Sequence, residues 1–222
     1  MPQVFIAIGV FLATHVALAE NPLRGLLVRC LGERPFAWSY GIIAVLQLLW
    51  VHQAVDAAPV VQLWQPPRWI GAIPLAVMPL AILLLVCGFT QSNPTATLAK
   101  TVVAGRLARR EVRGVLSITR NPVMWGLGLL FLAQLAIAAE LAEALRCGAY
   151  AALALLFLPR IEAKQRAKWG DAAWADFAAR SSSVPFVAMV QGRARFDWRE
   201  IGGVRLITTA GLYLAFAWLT AR

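Results

Sequence analysis

His15 is the first residue in the chain whose type and position point to chemistry. It lies in a long apolar stretch at residues 3–19, where an ionisable side chain is costly and is commonly tied to function. Imidazole is a common metal ligand, so His15 is a candidate for metal binding, and also for a plain hydrogen bond between helices. His52 lies near the far end of a later apolar stretch, four residues before Asp56. That position favours the opposite membrane surface, so the two histidines are not expected to share a site.

Residues 120–126, with the sequence RNPVMWG, form the second candidate. Asn121 is suited to cap a helix and Pro122 to occupy its first position, so a helix is predicted to begin there. Gly126 would let a neighbouring helix approach closely. Arg120 could hold an anionic group beside the free N–H groups of this helix end, or extend to the membrane surface as an ordinary basic residue.

Glu162 is a carboxylate that follows the fifth apolar stretch. It is a candidate for ligand binding, or else a solvated partner of Arg160 or Arg166. The sequence contains no Ser/His/Asp arrangement, no phosphate-binding loop and no zinc-ligand spacing, and its three cysteines show no paired spacing. The residues alone therefore indicate a site in the membrane but do not identify a reaction.

The elements that would position these residues are apolar helices. Hydrophobic residues make up 60% of the 222-residue chain and charged residues only 14%, whereas a soluble domain is nearer half apolar and a quarter charged. A membrane span needs roughly 17–25 apolar residues, and isolated strands cannot satisfy their backbone in lipid. We therefore predict an all-α, polytopic transmembrane bundle that forms a single domain over residues 1–222. Six spans are expected, at about residues 3–19, 36–55, 69–89, 122–139, 141–158 and 204–219.

The basic residues alternate between loops as the positive-inside rule requires. Of 21 Lys and Arg residues, 17 fall in the loops around 21–35, 90–121 and 159–203. Three fall in the remaining loops and the C-terminal tail, and Arg205 opens the last span. The basic loops are therefore expected in the cytoplasm and both termini on the outer side. Anionic lipid accounts for the net charge of +10, so the expected partner is the lipid bilayer and not nucleic acid.

Two of the basic loops are long enough to hold helices of their own. Residues 98–116 and 160–180 mix apolar and basic positions, which predicts helices that lie on the cytoplasmic membrane surface. Gly170 and Asp171 are expected to break the second segment into two short helices. The two segments together would cover the cytoplasmic face of the bundle.

The candidate residues map to the same half of the predicted bundle. His15 precedes the cytoplasmic end of its span by about four residues, which places it about 6 Å below that boundary. Arg120 and Asn121 open the fourth span from the cytoplasmic side, and Glu162 follows the fifth span. A shared cavity in the cytoplasmic half of the bundle is therefore predicted.

Short segments along the chain together match the pattern of a known family. They are Thr14-His15, Leu31-Gly32-Glu33-Arg34, Asn93-Pro94-Thr95, residues 118–126, Trp169-Gly170-Asp171 with Trp174 and Phe177, residues 181–186, and Glu200-Ile201-Gly202. In this order and spacing they resemble the NnrU family of bacterial integral membrane proteins over nearly the whole chain. The resemblance implies a bacterial inner-membrane protein with a role tied to denitrification, so the outward-facing termini expected from the charges would be periplasmic.

The NnrU family is also similar to plant zeta-carotene isomerase, a haem-dependent membrane enzyme that uses histidine ligands and turns a cis polyene bond trans. This similarity implies haem b as cofactor, with His15 as one axial ligand of the iron. The other histidine of the pattern falls in an Arg-His-Pro motif, where this chain has Asn121. Met124, about one helical turn further on, is then the expected second ligand, because His/Met pairs are known for haem iron. The alternative is that Met124 only packs. Arg120 would hold a propionate.

A more distant similarity, over residues 118–186, is to isoprenylcysteine carboxyl methyltransferases. The shared pattern is Arg-[His/Asn]-Pro with a glycine four residues after the proline, and later an acidic residue before an aromatic-Gly helix. Those enzymes bind S-adenosylmethionine on the cytoplasmic side, and the similarity assigns Arg120, Asn121 and Glu162 to that cofactor. The chain departs from the pattern at Ile161, where a second glutamate is expected.

Three functions follow from these resemblances. The leading hypothesis is a haem-linked enzyme of isomerase or redox type that acts on an apolar, lipid-soluble substrate such as a polyene. The first alternative is a non-enzymatic membrane accessory protein of denitrification or respiratory metabolism. The second alternative is a membrane methyltransferase that uses S-adenosylmethionine.

Overall fold

The computed structural model describes residues 1–19, 23–91 and 112–220. Regular structure in these residues is helical, apart from one isolated bridge between Gln62 and Glu140. The helices are α1 (Pro2–Ala19), α2 (Leu23–Leu31), α3 (Glu33–Asp56), α4 (Ala72–Thr90), α5 (Val115–Ile118), α6 (Pro122–Ile137), α7 (Leu141–Leu156), α8 (Leu158–Trp169), α9 (Asp171–Ala179), α10 (Val187–Val190) and α11 (Gly203–Thr220). Short 3-10 turns occupy Arg68–Gly71 and Trp198–Glu200. The all-α prediction is confirmed for the described residues.

The chain divides into two compact units. Unit 1 consists of Met1–Pro66 and Ala138–Ala149, and unit 2 of Pro67–Ile137 and Tyr150–Arg222. In unit 1, α1 packs against α2 and α3. Thr14 Oγ1 donates a hydrogen bond of 3.0 Å to Gln47 Oε1 and so joins α1 to α3. Polar bonds of this kind hold membrane helices together, because an unpaired polar group is costly in lipid.

Helix α4 is the centre of unit 2, where it packs against α6 and α11. Its contact with α6 is close because two glycines lack a side chain there. A methyl group at Gly126 would lie 2.7 Å from Leu85 Cγ and 3.0 Å from Ala81 O, and one at Gly88 would lie 2.6 Å from Val123 Cγ2. The prediction that Gly126 permits close helix approach is confirmed.

Four helical segments among the described residues are long and apolar enough to cross a membrane. They are Glu33–Asp56, Arg68–Thr90, Leu141–Trp169 and Gly203–Thr220. The number rises to five if the bent pair α1 and α2 forms one span. Helix α6 is apolar but has only 16 residues, about 24 Å of helix against a hydrocarbon core of about 30 Å. The chain thus has the helices of a membrane protein, while the number of six spans stays a prediction.

The two predicted surface segments have different outcomes. Residues 160–180 form two helices, α8 and α9, and Gly170 lies between them with a φ of +84°, so the predicted break is confirmed. For the segment 98–116 the prediction of a surface helix is wrong at its C-terminal end, because Val115 and Leu116 are buried in unit 2. Val115 belongs to the same core cluster as Leu84 and Cys87. Residues 98–111 lie outside the described part.

Candidate functional site: a buried polar cluster at the start of α6

Two segments of unit 2 that are distant in sequence lie side by side ahead of α6. The backbone N–H of Arg120 donates to Ser182 O at 2.8 Å, and that of Phe186 donates to Ile118 O at 2.8 Å. Thr119 Oγ1 adds a bond of 2.7 Å to Ser183 O. Residues 118–121 are therefore held by residues 182–186 just before the helix begins at Pro122.

Phe186 adopts a φ of +68°, in the left-handed region. A bulky residue rarely adopts this conformation, because its Cβ crowds the backbone carbonyl. The surrounding bonds maintain it, and strained residues of this kind cluster at functional sites. The backbone conformation of the segment 181–186 is therefore imposed by its contacts with the rest of the protein.

Arg120, Asn121 and Glu162 form a polar cluster on this scaffold. Arg120 Nε and Glu162 Oε1 make an ion pair at 3.0 Å, and their side chains are only 14% and 19% exposed. Asn121 Nδ2 donates to the same carboxylate oxygen at 2.6 Å. The prediction of Glu162 as a solvated partner of Arg160 or Arg166 is wrong for Arg166, which pairs with Asp171. The structure brings Glu162 from α8 to the start of α6.

Asn121 is the most buried member, with 1% of its surface exposed. Its Nδ2 also donates to Ser183 Oγ at 3.3 Å, whereas its Oδ1 accepts no hydrogen bond from the described residues. Asn121 occupies the position before α6, and its backbone oxygen accepts the Trp125 N–H at 3.1 Å. The predicted side-chain cap is wrong, because the carboxamide is turned toward Glu162 and Ser183 instead of the first turn of the helix.

Two tryptophans and a serine also contact the cluster, although none of them was a candidate site residue. Trp125 Nε1 donates to Ser183 O at 2.7 Å. The ring of Trp174, which is buried, lies 5.8 Å from Arg120 Cζ, within range of a cation–π interaction. Trp125, Trp174 and Ser183 all fall in the segments that carry the family resemblance, which was the only sequence signal for them.

His15 belongs to unit 1 and is half-buried on α1. Its Nδ1 lies 3.1 Å from Phe11 O, one turn earlier, and because a carbonyl oxygen only accepts, Nδ1 is the donor in this contact. Phe11 and Tyr40 flank the ring, with centroid distances of 4.1 Å and 5.5 Å. An imidazole whose Nδ1–H is bound to a carbonyl is in the state that metal-ligating histidines adopt.

His15 and the polar cluster differ in the chemistry that each could offer to haem. His15 Nδ1 lies against the Phe11 carbonyl, which leaves Nε2 as the nitrogen that could hold an iron. The cluster of Arg120, Asn121 and Glu162 holds no imidazole, thiolate or thioether. Among the described residues no group of three or more His, Cys, Asp and Glu could hold a metal ion. Met124 is partly buried on α6 in unit 2, and its pairing with His15 on one iron stays a prediction.

Unit 2 thus contains a largely buried ion pair at the start of α6, and unit 1 contains a half-buried histidine on α1. Ionisable groups inside membrane bundles are rare and usually mark functional positions. A comparison with family models matches the NnrU protein family over residues 3–221, nearly the whole chain. Neither the curated proteins nor the solved structures include a match to this chain. From the extent of the family match, the chain belongs to the NnrU family.

Proposed function

We propose that this NnrU-family protein is a membrane enzyme of isomerase or redox type that acts on an apolar substrate dissolved in the bilayer, such as a polyene. The observation that carries the proposal is the cluster of Arg120, Asn121 and Glu162. A buried ion pair and a buried carboxamide contribute little to stability compared with apolar packing, so their presence in a membrane bundle favours a binding role.

The proposed cofactor is haem b, which His15 would hold through its imidazole. The support is the hydrogen bond from His15 Nδ1 to Phe11 O, which orients the ring and leaves Nε2 for iron. Haem would supply a redox-active iron next to an apolar substrate. The chain's own contribution is to orient the imidazole by this hydrogen bond and by the rings of Phe11 and Tyr40.

The proposed location is the bacterial inner membrane, with both termini in the periplasm and six spans. The 17 basic residues in alternate loops, against three elsewhere, support this orientation. The polar cluster then lies on the cytoplasmic side, because Arg120 and Glu162 belong to two of those basic loops. An ionic group from the cytoplasm could reach the cluster while an apolar group stays in lipid.

The experiment is a visible absorption spectrum of the purified full chain in detergent, after expression with added haem precursor. A Soret band at a haem-to-protein ratio near one is the expected result. A colourless protein that also takes up no added haem would refute the haem-linked function.

A second candidate function is a methyltransferase that uses S-adenosylmethionine. The observation that favours it is the direct contact of Glu162 with both Arg120 and Asn121, since the methyltransferase resemblance assigns these three residues to the cofactor. Titration of the purified chain with S-adenosylmethionine tests it by calorimetry. Binding by a colourless protein would favour this function. A chain that binds neither haem nor S-adenosylmethionine would leave a non-enzymatic accessory role in denitrification or respiration.

A further inference from the structure

Residues 184–190 of unit 2, which we call the apolar turn, expose apolar residues beside buried polar ones. Val190 is 86% exposed, whereas Ser181 and Ser182, just before the turn, are 1% and 5% exposed. Three more apolar residues of the turn are exposed: Val184, Phe186 and Val187. Single exposed apolar residues are ordinary, but a contiguous group marks a surface that contacts lipid or another protein.

The backbone of the apolar turn forms hydrogen bonds within the protein. The Phe186 N–H donates to Ile118 O at 2.8 Å. Ser182 Oγ accepts the Ala188 N–H at 3.0 Å and donates to Val184 O at 2.8 Å. Lipid supplies no hydrogen-bond partners, so a segment that enters it has to satisfy its own polar groups. The bonds of Val184, Phe186 and Ala188 meet that requirement in the exposed part of the turn.

The chain around the apolar turn is basic and leads into a membrane helix. Residues 181–196 contain Arg193 and Arg195 but no acidic residue. Helix α11 follows, is long and apolar enough to cross a membrane, and exposes Val204 and Ile207 in its first two turns. Anionic lipid attracts basic residues that lie next to a membrane helix. The charge and the continuity with the exposed face of α11 therefore favour lipid over a protein partner.

We propose that the apolar turn is immersed in the cytoplasmic leaflet of the bilayer, where head groups meet acyl chains, with Arg195 against anionic head groups. An apolar face at this boundary is buried about 5–10 Å deep. The turn is a lipid contact outside the spans and outside the two segments predicted to lie on the membrane surface. The choice of leaflet rests on the proposed orientation, whereas the immersion itself depends on neither orientation nor cofactor.

The immersed turn also fixes where the polar cluster lies relative to lipid. Ser183 directly precedes the turn, and Asn121 Nδ2 donates to its Oγ at 3.3 Å. Trp125 Nε1 donates to the carbonyl oxygen of the same serine at 2.7 Å. The start of α6 is therefore bonded to a segment that contacts lipid, which places the polar cluster close to the head groups.

The first arm of the test measures immersion with a fluorescent label. The exposed Cys30 is replaced in Cys30→Ser, since Cys87 and Cys147 are buried. Val190→Cys is then labelled with an environment-sensitive dye, and the full chain is reconstituted in phosphatidylcholine and phosphatidylglycerol vesicles. Nitroxide groups on the lipid acyl chains quench a label in the membrane, and iodide quenches a label in water. Ile207→Cys is the lipid reference, and Asp171→Cys is the reference for water.

The label at position 190 should lose most of its fluorescence to the acyl-chain nitroxide and little to iodide, as the label at 207 does. The label at 171 should show the reverse. Quenching by iodide alone at position 190 would overturn the proposal, because the turn would then lie in water. A label at 190 that neither quencher reaches would overturn it in favour of a second copy of the chain as the cover. If Val190→Cys does not fold, Val184→Cys carries the same test.

The second arm measures the choice of head group. The nitroxide is placed on phosphatidylglycerol or on phosphatidylcholine, and the two quenching efficiencies are compared for the label at position 190. One basic residue near an anionic surface is enough to enrich the anionic lipid roughly fivefold. Arg195→Gln should lower the enrichment by up to that factor. Arg68→Gln is the matched control, because Arg68 precedes α4, whereas Met189 of the turn packs near Leu84 and Cys87 in the later part of that helix.

An enrichment that falls in Arg195→Gln and persists in Arg68→Gln supports the contact with anionic head groups. Equal quenching by the two lipids in wild type, or an equal loss in both variants, would overturn that part of the proposal. Both arms use the chain without haem. Their outcome is therefore separate from that of the haem-linked function.

Discussion

Asn121 stands where the isomerase resemblance has an iron-ligating histidine, and its contacts explain what an amide does at that position. Its Nδ2 donates to Glu162 and to Ser183. A carboxamide is a poor ligand for haem iron, but it can hold a carboxylate in place without adding charge. Any metal-centred role in this chain therefore has to rest on residues other than Asn121, and our candidate among the described residues is His15, whose Nδ1 contacts Phe11 O.

The ion pair between Arg120 and Glu162 should be coupled more strongly than a surface pair. Their side chains are 14% and 19% exposed, whereas those of Arg166 and Asp171 are 60% and 79% exposed. A double-mutant cycle with alanine at both positions should give a coupling free energy of about 1–3 kcal/mol for the buried pair. The exposed pair should give less than about 1 kcal/mol. The measurement is reversible unfolding in detergent, and equal coupling in the two pairs would contradict the account.

The members of the cluster were predictable from the sequence to different extents. Arg120, Asn121 and Glu162 were identified as candidates, because charged or capping residues at the ends of apolar stretches are conspicuous. The partner of Glu162 was not predicted, since its carboxylate is 42 positions from Arg120 and local spacing says nothing about that distance. Ser183 was missed for the same reason, and because it acts partly through its backbone carbonyl.

Helices α4 and α6 pack closely against each other at Gly88 and Gly126. Two glycines remove the side chains that would separate the helices. Gly126→Ala should lower the free energy of unfolding by about 1–3 kcal/mol, because the new methyl group would lie 3.0 Å from the backbone oxygen of Ala81.

Gly211→Ala is the matched control on α11, where no atom lies within 4 Å of an added Cβ. This substitution should leave stability unchanged or raise it by up to about 1 kcal/mol, because alanine favours the helix. Both variants are measured by thermal unfolding in detergent. A loss of stability in Gly211→Ala as large as in Gly126→Ala would show that the close approach of α4 and α6 is not the cause.

Local sequence predicts where the helices begin and end, but it does not predict which distant segments contact each other. Pro122 begins α6 and Gly170 separates α8 from α9, as proline and glycine predict. The burial of Val115 and Leu116 was not predicted, because a mixed apolar and basic segment looks the same at a membrane surface and at the edge of a core. Val115 contacts core residues such as Leu84 and Cys87. This contact depends on how α4 packs, and local sequence does not predict that packing.

The orientation of the whole molecule in the membrane rests on its charge distribution. With 17 basic residues in alternate loops and three elsewhere, both termini are expected in the periplasm. A reporter that is active only in the periplasm should therefore give activity when fused after the C-terminus. The same reporter inserted at position 105, in the second basic loop, should be silent. Activity at position 105 and none at the C-terminus would reverse the orientation.

The measurement that tests the haem-linked function most directly compares the visible spectra of three chains purified after haem supplementation: wild type, His15→Ala and His52→Ala. His52 is the matched control, because its side chain is 59% exposed and pairs with Asp56 at 3.5 Å. The account predicts a Soret band in wild type that is kept in His52→Ala and is lost or shifted in His15→Ala, because His15 Nε2 is the proposed iron ligand. A wild-type protein without haem, or an unchanged spectrum in His15→Ala, would contradict it.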